Sequence, residues 1–478
     1  MTRKNICDKN LSFSDCELLI LRMQVDQSKE KMARRIINTP EIQEIIEIVE
    51  NFIKKKKLIC YGGTALNNIL PIEDQFYNKD TEIADYDFYS FDALNDAKEL
   101  ADIYFKKGYL EVEAKAGQHH GTYKVFVNFL GVADISNIPK GLFKSLKRDS
   151  LRVNGILYAP VNFLRMGVYL ETSRPAGDVD RWEKIWGRLQ LLNKHYPLTT
   201  INCNSKIESS EFQRDFDGKS VNPKDKDLIY DTVKETFINQ GVVFFGGYAM
   251  SEYSKYMPKN AHDKIKKIAD FDVISNDPVA TSEIVKERLM DVGIKNIKII
   301  EHEQIGEIIP MHYEVRIGKD ETVAFIYKPI ACHSYNLITI NNKKIKIATI
   351  DTMLSFFLAF LYADKEYFDI ERILCMSKFL YDVQQKNRLE QKGLLKRFSI
   401  TCYGHQITLE EMRSNKAKKY KELKNKKGTK DYDEWFLNYK PGEKKNNNND
   451  NTTKKKKDIK NVTKKKKNIK KKSSKKSK

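Results

Sequence analysis

Apolar residues recur at Ile42, Ile45, Ile46, Val49, Phe52 and Ile53, and an unbroken apolar run, Leu58-Ile-Cys-Tyr61, follows them. The first pattern has the period of a helix packed on one face. Thr39-Pro40 before it supplies an N-cap side chain and a first-turn residue that needs no amide partner. The short run predicts a buried strand. Gly62-Gly63-Thr64 then separates that strand from a helix starting near Ala65.

The same order returns downstream. Asn222-Pro223 precedes a helical pattern through Leu228, Ile229, Val233 and Phe237; Gly241, the run Val242-Val-Phe-Phe245 and Gly246-Gly247 follow. Ala84-Asp85-Tyr86-Asp87-Phe88 matches Ala269-Asp270-Phe271-Asp272-Val273, and Val132-Ala-Asp-Ile-Ser136 lines up with Val323-Ala-Phe-Ile-Tyr327. An apolar helix follows each, from Ala159 and from Ala348. Matched residues stand 183 to 191 positions apart, a drift of the kind loop insertions produce. The chain therefore reads as two copies of one α/β (α+β) unit, roughly 40–200 and 205–400. The expected organisation is a helical extension over 1–38, a first domain over 39–203, a degenerate second domain over 204–412 and a Lys-rich tail over 413–478. The apolar run 353–361 is too short to span a membrane and predicts a buried helix.

Composition changes this picture at one end. The net charge of +20 is concentrated from Lys440 onward, where 18 lysines face three acids and leave +15. That stretch has no hydrophobic pattern and is expected to be disordered. It suits non-specific polyanion binding through counterion release, or a solubility or localisation role. The N-terminus, MTRKNICDKNLSFSD, has no apolar core of a secretory signal. Seven scattered cysteines without a CxxC pair fit reduced thiols.

Candidate chemistry sits in the first copy. Asp85 and Asp87, two apart on a strand, face the same side. Two carboxylates so placed repel, and a bound cation offsets that cost; oxygen ligands favour Mg²⁺. Asp134 is a third carboxylate, within the strand runs 123–129 and 132–135. Three carboxylates around two ions suit in-line phosphoryl transfer. Gly62, Gly63 and Thr64 lie where backbone can approach a phosphate at a helix N-terminus. Either feature alone is common, as a simple turn or as two solvated acids at a strand end; the ordered combination is far more specific. On the helix expected over 180–193, Trp182, Ile185, Leu189 and Leu192 face inward. Arg181, Lys184 and Arg188 form a basic stripe suited to a triphosphate or an RNA backbone, although for any one residue a solvated helix face explains it as well. His119 and His120 stand in a turn with no third soft ligand nearby, which speaks against zinc.

These motifs resemble the signature of the DNA polymerase β-type nucleotidyltransferase superfamily. Tyr61-Gly-Gly-Thr-Ala65, Asp85-Tyr-Asp-Phe88, Val132-Ala-Asp-Ile-Ser136 and Ser173-Arg-Pro175 with Arg181-Trp182 resemble, more closely, the poly(A) polymerase catalytic subunits of large nucleocytoplasmic DNA viruses, especially the giant-virus type. The resemblance covers most of 40–400 and not the Lys tail. The long spacing from Gly63 to Asp85 departs from the superfamily at large, and 71–81 reads as a loop insertion. The resemblance implies template-independent adenylate addition from ATP to an RNA 3′ end with Mg²⁺ or Mn²⁺. Asp85, Asp87 and Asp134 would be catalytic and metal-holding; Gly62, Gly63, Thr64, Arg181, Lys184 and Arg188 would bind the nucleotide. It implies either a homodimer or a cap-methyltransferase-like partner subunit, no membrane, and a setting in the host cytoplasm, viral factory or virion. A toxin modifying transfer RNA or protein shares Gly-Gly-Thr-Ala-Leu66 but would not be expected to carry the second copy. A non-catalytic RNA-binding scaffold is disfavoured by the intact carboxylate triad. In the second copy Phe325 stands where Asp134 does and Tyr248 where Thr64 does. That copy is expected to hold one ion at most and to have lost catalysis.

Overall fold

The computed structural model describes residues 7, 11–78, 80–82, 85–199, 213–214, 221–257, 259–262, 265, 267–387 and 390–442. The polycationic stretch from 443 onward lies outside the described residues. In chain order the first half contains α1 (Phe13–Ile37), α2 (Pro40–Lys56), β1 (Ile59–Cys60), α3 (Gly62–Ile69), β2 (Tyr86–Ser90), α4 (Ala93–Lys106), β3 (Val112–Ala116), β4 (Thr122–Val127), β5 (Leu130–Asn137), α5 (Lys140–Arg148), β6 (Leu151–Val153), β7 (Ile156–Tyr158), α6 (Val161–Thr172) and α7 (Trp182–His195). The Thr39 hydroxyl accepts from the Ile42 amide and caps α2, as Thr39-Pro40 implies.

The second half runs α8 (Lys226–Gln240), β8 (Val243–Phe244), α9 (Gly247–Tyr253), α10 (Lys259–His262), β9 (Phe271–Ile274), α11 (Pro278–Asp291), β10 (Ile297–His302), β11 (His312–Ile317), β12 (Glu321–Tyr327), β13 (His333–Ile340), β14 (Lys343–Ala348), α12 (Ile350–Phe360) and α13 (Ile370–Lys386). Then come β15 (Cys402–Tyr403), α14 (Leu409–Leu423), α15 (Lys430–Phe436) and β16 (Asn438–Tyr439).

Two mixed sheets organise these elements. The first has the order β16-β3-β4-β5-β2-β1-β7-β6, the second β10-β11-β12-β9-β8-β14-β13-β15. Leaving aside β16 and β15, the seven strands follow one another in the same spatial order in each. One face of the first sheet is covered: Tyr86, Phe88 and Ser90 of β2 are buried, with Phe88 against Phe52 of α2. Asp87 and Tyr89 alternate with them onto the other face and stay half-buried. The halves are joined through α6 and α12: Thr172 donates to Asp351 (3.3 Å), and the Ser334 amide donates to the Ser173 carbonyl (2.8 Å). Arg397 holds Asp351 through two hydrogen bonds, of 2.6 and 3.1 Å.

Two differences from the sequence-based expectations concern the C-terminal region. Residues 409–439, where a tail is expected from 413, fold as α14, α15 and β16 against the first sheet. Asn438 pairs with Lys115, His120 packs on Trp435, and Lys98 pairs with Asp433 at 2.7 Å. Local composition hides this because the partners lie some 300 residues away. The thiols also differ: Cys332 is bonded to Cys402 and Cys7 to Cys16, while Cys60 is free and buried. The pairing of Ser334 with Cys402 in the β13–β15 ladder brings Cys332 and Cys402 together.

Candidate functional site

The open face of the first sheet gathers the residues singled out by sequence. Asp87 of β2 lies directly beside Asp134 of β5 in parallel register, and Asp85 stands just before β2 on the same side. The Tyr61 amide donates to the Asp87 carbonyl (2.9 Å), which ties the glycine turn to the carboxylate strand. Gly62 begins α3 with φ of +71°, and a Cβ there would meet Asp87 Oδ2 at 2.8 Å, so the turn requires glycine. Thr64 is buried, and its hydroxyl donates to the Asp85 carbonyl (2.7 Å). Its role is to fasten the turn to the strand.

Electrostatics mark the same spot. Burial pushes the Asp87 carboxyl up to about 7, with Asp85 and Asp134 adding to the shift. Burial and then Asp134 raise Asp85 as well. Lys124, on β4 opposite Asp134, is ion-paired with it. Among the described residues no three carboxylates, histidines or cysteines are drawn together for an ion. Uncompensated carboxylates repel, and Lys124 supplies the counter-charge.

Beside the carboxylates runs a row of hydroxyls, two of them at the ends of the Tyr61–Ala65 and Val132–Ser136 motifs. Tyr61 and Ser136 are hydrogen-bonded at 2.9 Å, and Ser136 and Thr122 at 3.0 Å. Tyr61 also stacks on Tyr89, ring centroids 3.9 Å apart. The alternation of β2, β4 and β5 could have placed Tyr89, Lys124 and Ser136 on this face, but the register that joins them is tertiary.

The basic stripe is split. Arg181 and Lys184 are exposed; Arg181 pairs with Glu171 at 3.7 Å and lowers Asp87 through its charge. Arg188 is buried instead. Its guanidinium lies over Phe76 (4.5 Å) and Tyr77 (5.2 Å) and donates to the Tyr77 hydroxyl at 2.7 Å. A Cβ on Gly63 would meet that hydroxyl at 2.5 Å and Arg188 Nη1 at 2.9 Å. The insertion over 71–81 therefore serves the structure. Asn67 accepts from the Phe76 and Tyr77 amides and fixes the aromatic seat of Arg188. Arg174, of the Ser-Arg-Pro motif, keeps a buried Nε without a hydrogen-bond partner; burial lowers its pKa to about 10, against the opposing charges of Glu307 and Glu171.

The second sheet arranges equivalent positions differently. Phe325 of β12 pairs with Asp272 of β9, as Asp134 pairs with Asp87. Arg214 enters from the stretch between the halves. Its Nη2 lies 2.6 Å from Asp270 Oδ1, its Nη1 donates to Asp272 Oδ1 (3.2 Å), and its amide donates to Asp270 Oδ2 (2.9 Å). At this carboxylate pair, where at most one ion is expected, an arginine supplies the counter-charge.

Residues 47–178 match the model of the poly(A) polymerase catalytic subunit family. This stretch contains the glycine turn, all three carboxylates and Lys124. A relative described as "putative poly(A) polymerase catalytic subunit" in African swine fever virus (Pretoriuskop isolate) is 31% identical over 205 residues, covering 41% of this chain and 43% of the relative. One of the same description in Acanthamoeba polyphaga mimivirus is 29% identical over 214 residues, 44% of this chain and 35% of its own. The matched stretches therefore span less than half the length of these relatives. The crystal structure of the Megavirus polyadenylate synthase shares the fold with a TM-score of 0.74 at 21% identity, over 92% of this chain and 88% of that one. That likeness of fold reaches beyond residues 47–178 through the second sheet. No helix among the described residues is long and apolar enough to cross a membrane.

Proposed function

We propose that the open face of the first sheet is the active site of a polynucleotide adenylyltransferase that adds AMP from ATP to RNA 3′ ends. The observation that carries this reading is the register of Asp87 with Asp134, beside the Gly62 turn and within the poly(A) polymerase stretch. Asp85, Asp87 and Asp134 offer the oxygen donors that suit Mg²⁺ or Mn²⁺. Bound there, such ions would stabilise charge on the reacting phosphates and activate the 3′-hydroxyl. The chain's own residues do the rest. The turn at Gly62, Gly63 and Thr64 offers amides to the triphosphate, Arg188 braces that turn, and Arg181 and Lys184 attract phosphate from the rim. Lys124 guards Asp134 until a cation replaces it.

The shared strand order and the matched Gly-Gly and Asp-x-Asp positions support an internal duplication, with domains over 39–203 and 204–412 and the second unit degenerate. RNA is the proposed partner; a second copy or a cap-methyltransferase-like subunit would extend it. Infected-cell cytoplasm is the proposed setting. The test is incubation of the full chain with a 3′-hydroxyl RNA, Mg²⁺ and each nucleoside triphosphate separately. Elongation with ATP supports the reading; absence of elongation with every triphosphate overturns it.

A further inference from the structure

The second sheet retains the Gly-Gly turn and both aspartates but directs them to another partner. Asp270 is buried at 4% exposure, and Arg214 reaches it and Asp272 with its guanidinium while its backbone amide takes a third carboxylate contact. Arg214 Nη2 also donates to the Phe271 carbonyl at 3.3 Å. The guanidinium plane rests on Phe325, 4.7 Å from the ring centroid. Phe325 occupies the register position that Asp134 holds in the first sheet, so the loss of a carboxylate there supplies the apolar floor a guanidinium favours. The glycine turn is closed as well. A Cβ on Gly246 would lie 1.8 Å from Asp272 Oδ2, so the carboxylate sits directly against the turn.

The surroundings complete the closure. Glu314 takes the place opposite Phe325 that Lys124 takes opposite Asp134. It is fully buried and held by Arg316 (2.8 Å) and His302 (3.0 Å). Tyr367 packs on Phe325 at 5.2 Å and Phe368 on Phe360 at 4.2 Å, filling the face that stays open in the first sheet.

We propose that Arg214 is a built-in cation in the place of a divalent metal, and that the second carboxylate pair holds Arg214 and does not bind metal or nucleotide. A buried pair of like charges is costly unless neutralised, and a planar fork ion-paired with both carboxylates serves continuously, without an exchangeable ion. The proposal goes beyond the adenylyltransferase reading and does not rest on it, because its test reads metal binding and not activity.

The test uses the full chain with Asp85→Asn, Asp87→Asn and Asp134→Asn, which removes the first-sheet donors. Mn²⁺ is titrated and the free aqueous ion followed by electron paramagnetic resonance. With Arg214 intact, the expected result is no Asp272-dependent bound Mn²⁺. Adding Arg214→Ala is expected to create one Mn²⁺ site per chain that disappears when Asp272→Asn is introduced. Asp272-dependent Mn²⁺ binding with Arg214 present overturns the proposal, and so does a folded Arg214→Ala chain that gains no site. Should Arg214→Ala fail to fold, Arg214→Met keeps the aliphatic stem on Phe325 and takes its place in the same titration.

Discussion

The two sheets place an Asp-x-Asp pair at the same point of the same strand order and surround it with opposite environments. In the first, Asp87 faces Asp134, Lys124 and a row of hydroxyls on an open face. In the second, Asp272 faces Phe325, Arg214 and a packed aromatic wall. The contrast teaches that a carboxylate pair is not itself a metal site. What matters is whether its counter-charge can leave. Lys124 is a half-exposed ammonium on a flexible stem, whereas Arg214 is a mostly buried fork gripping both acids. On the proposed reading, the first arrangement would exchange its cation for a metal ion, whereas the second holds its cation within the chain.

The comparison can be broken most severely in the second sheet. Asp270→Asn with Asp272→Asn leaves the Arg214 charge buried and unpaired. The expected loss is about 3–5 kcal/mol of unfolding free energy, the scale of breaking a buried pair from one side. Denaturant unfolding measures it, and a loss below about 1 kcal/mol would show that Arg214 is not the partner of these acids.

The next effect is pH dependence in the first sheet. The Asp87 carboxyl is raised by burial and by its acidic neighbours to about 7. A folded-state value above the unfolded one means the proton is bound more tightly in the native chain. This contribution is therefore fully present below about pH 4 and is lost as pH rises towards 7. For a shift of this size the loss is on the order of 4 kcal/mol in metal-free protein. Asp87→Asn should flatten that part of the stability–pH curve, and saturating Mg²⁺ should flatten it in the unaltered chain. A curve unchanged by both treatments would contradict the assignment.

A smaller change sharpens the role of Lys124. Lys124→Met removes the ion that competes for Asp134 and should tighten Mn²⁺ binding up to about 5-fold, the scale of a partly exposed ion pair. Weakened Mn²⁺ binding, read by calorimetry, would place Lys124 among the groups that help the metal and not among those that guard its site.

Much of this contrast could be read along the chain, and the reason is local periodicity. Alternation put Asp85 and Asp87 on one face, a strand run carried Asp134, and the repeated Gly-Gly and Asp-x-Asp motifs pointed to a second unit whose Phe325 breaks the pattern. What could not be read depends on contacts distant in sequence. Arg214 lies in a polar stretch with no pattern of its own, 56 residues from Asp270. Arg188 shares a helix with Arg181 and Lys184 but turns inward, because Phe76 and Tyr77 of an apparent loop insertion form a seat for it. The lysine-rich α14 and its neighbours α15 and β16 looked like the start of a tail because β3, the edge they complete, lies some 300 residues earlier.

The central claim is that only the first of two equivalent register positions serves chemistry, and one paired elongation assay tests it most directly. Asp134→Asn and Phe325→Leu are compared on a 3′-hydroxyl RNA with ATP and Mg²⁺, at a temperature where both are folded. Asp134→Asn is expected to lower the rate on the order of 10³-fold, the scale of losing a preorganised transition-state contact. Phe325→Leu, a modest core change, should leave the rate within about 2-fold at a stability cost near 1.5 kcal/mol or less. Retained elongation in Asp134→Asn, or its collapse in a folded Phe325→Leu chain, would contradict the account.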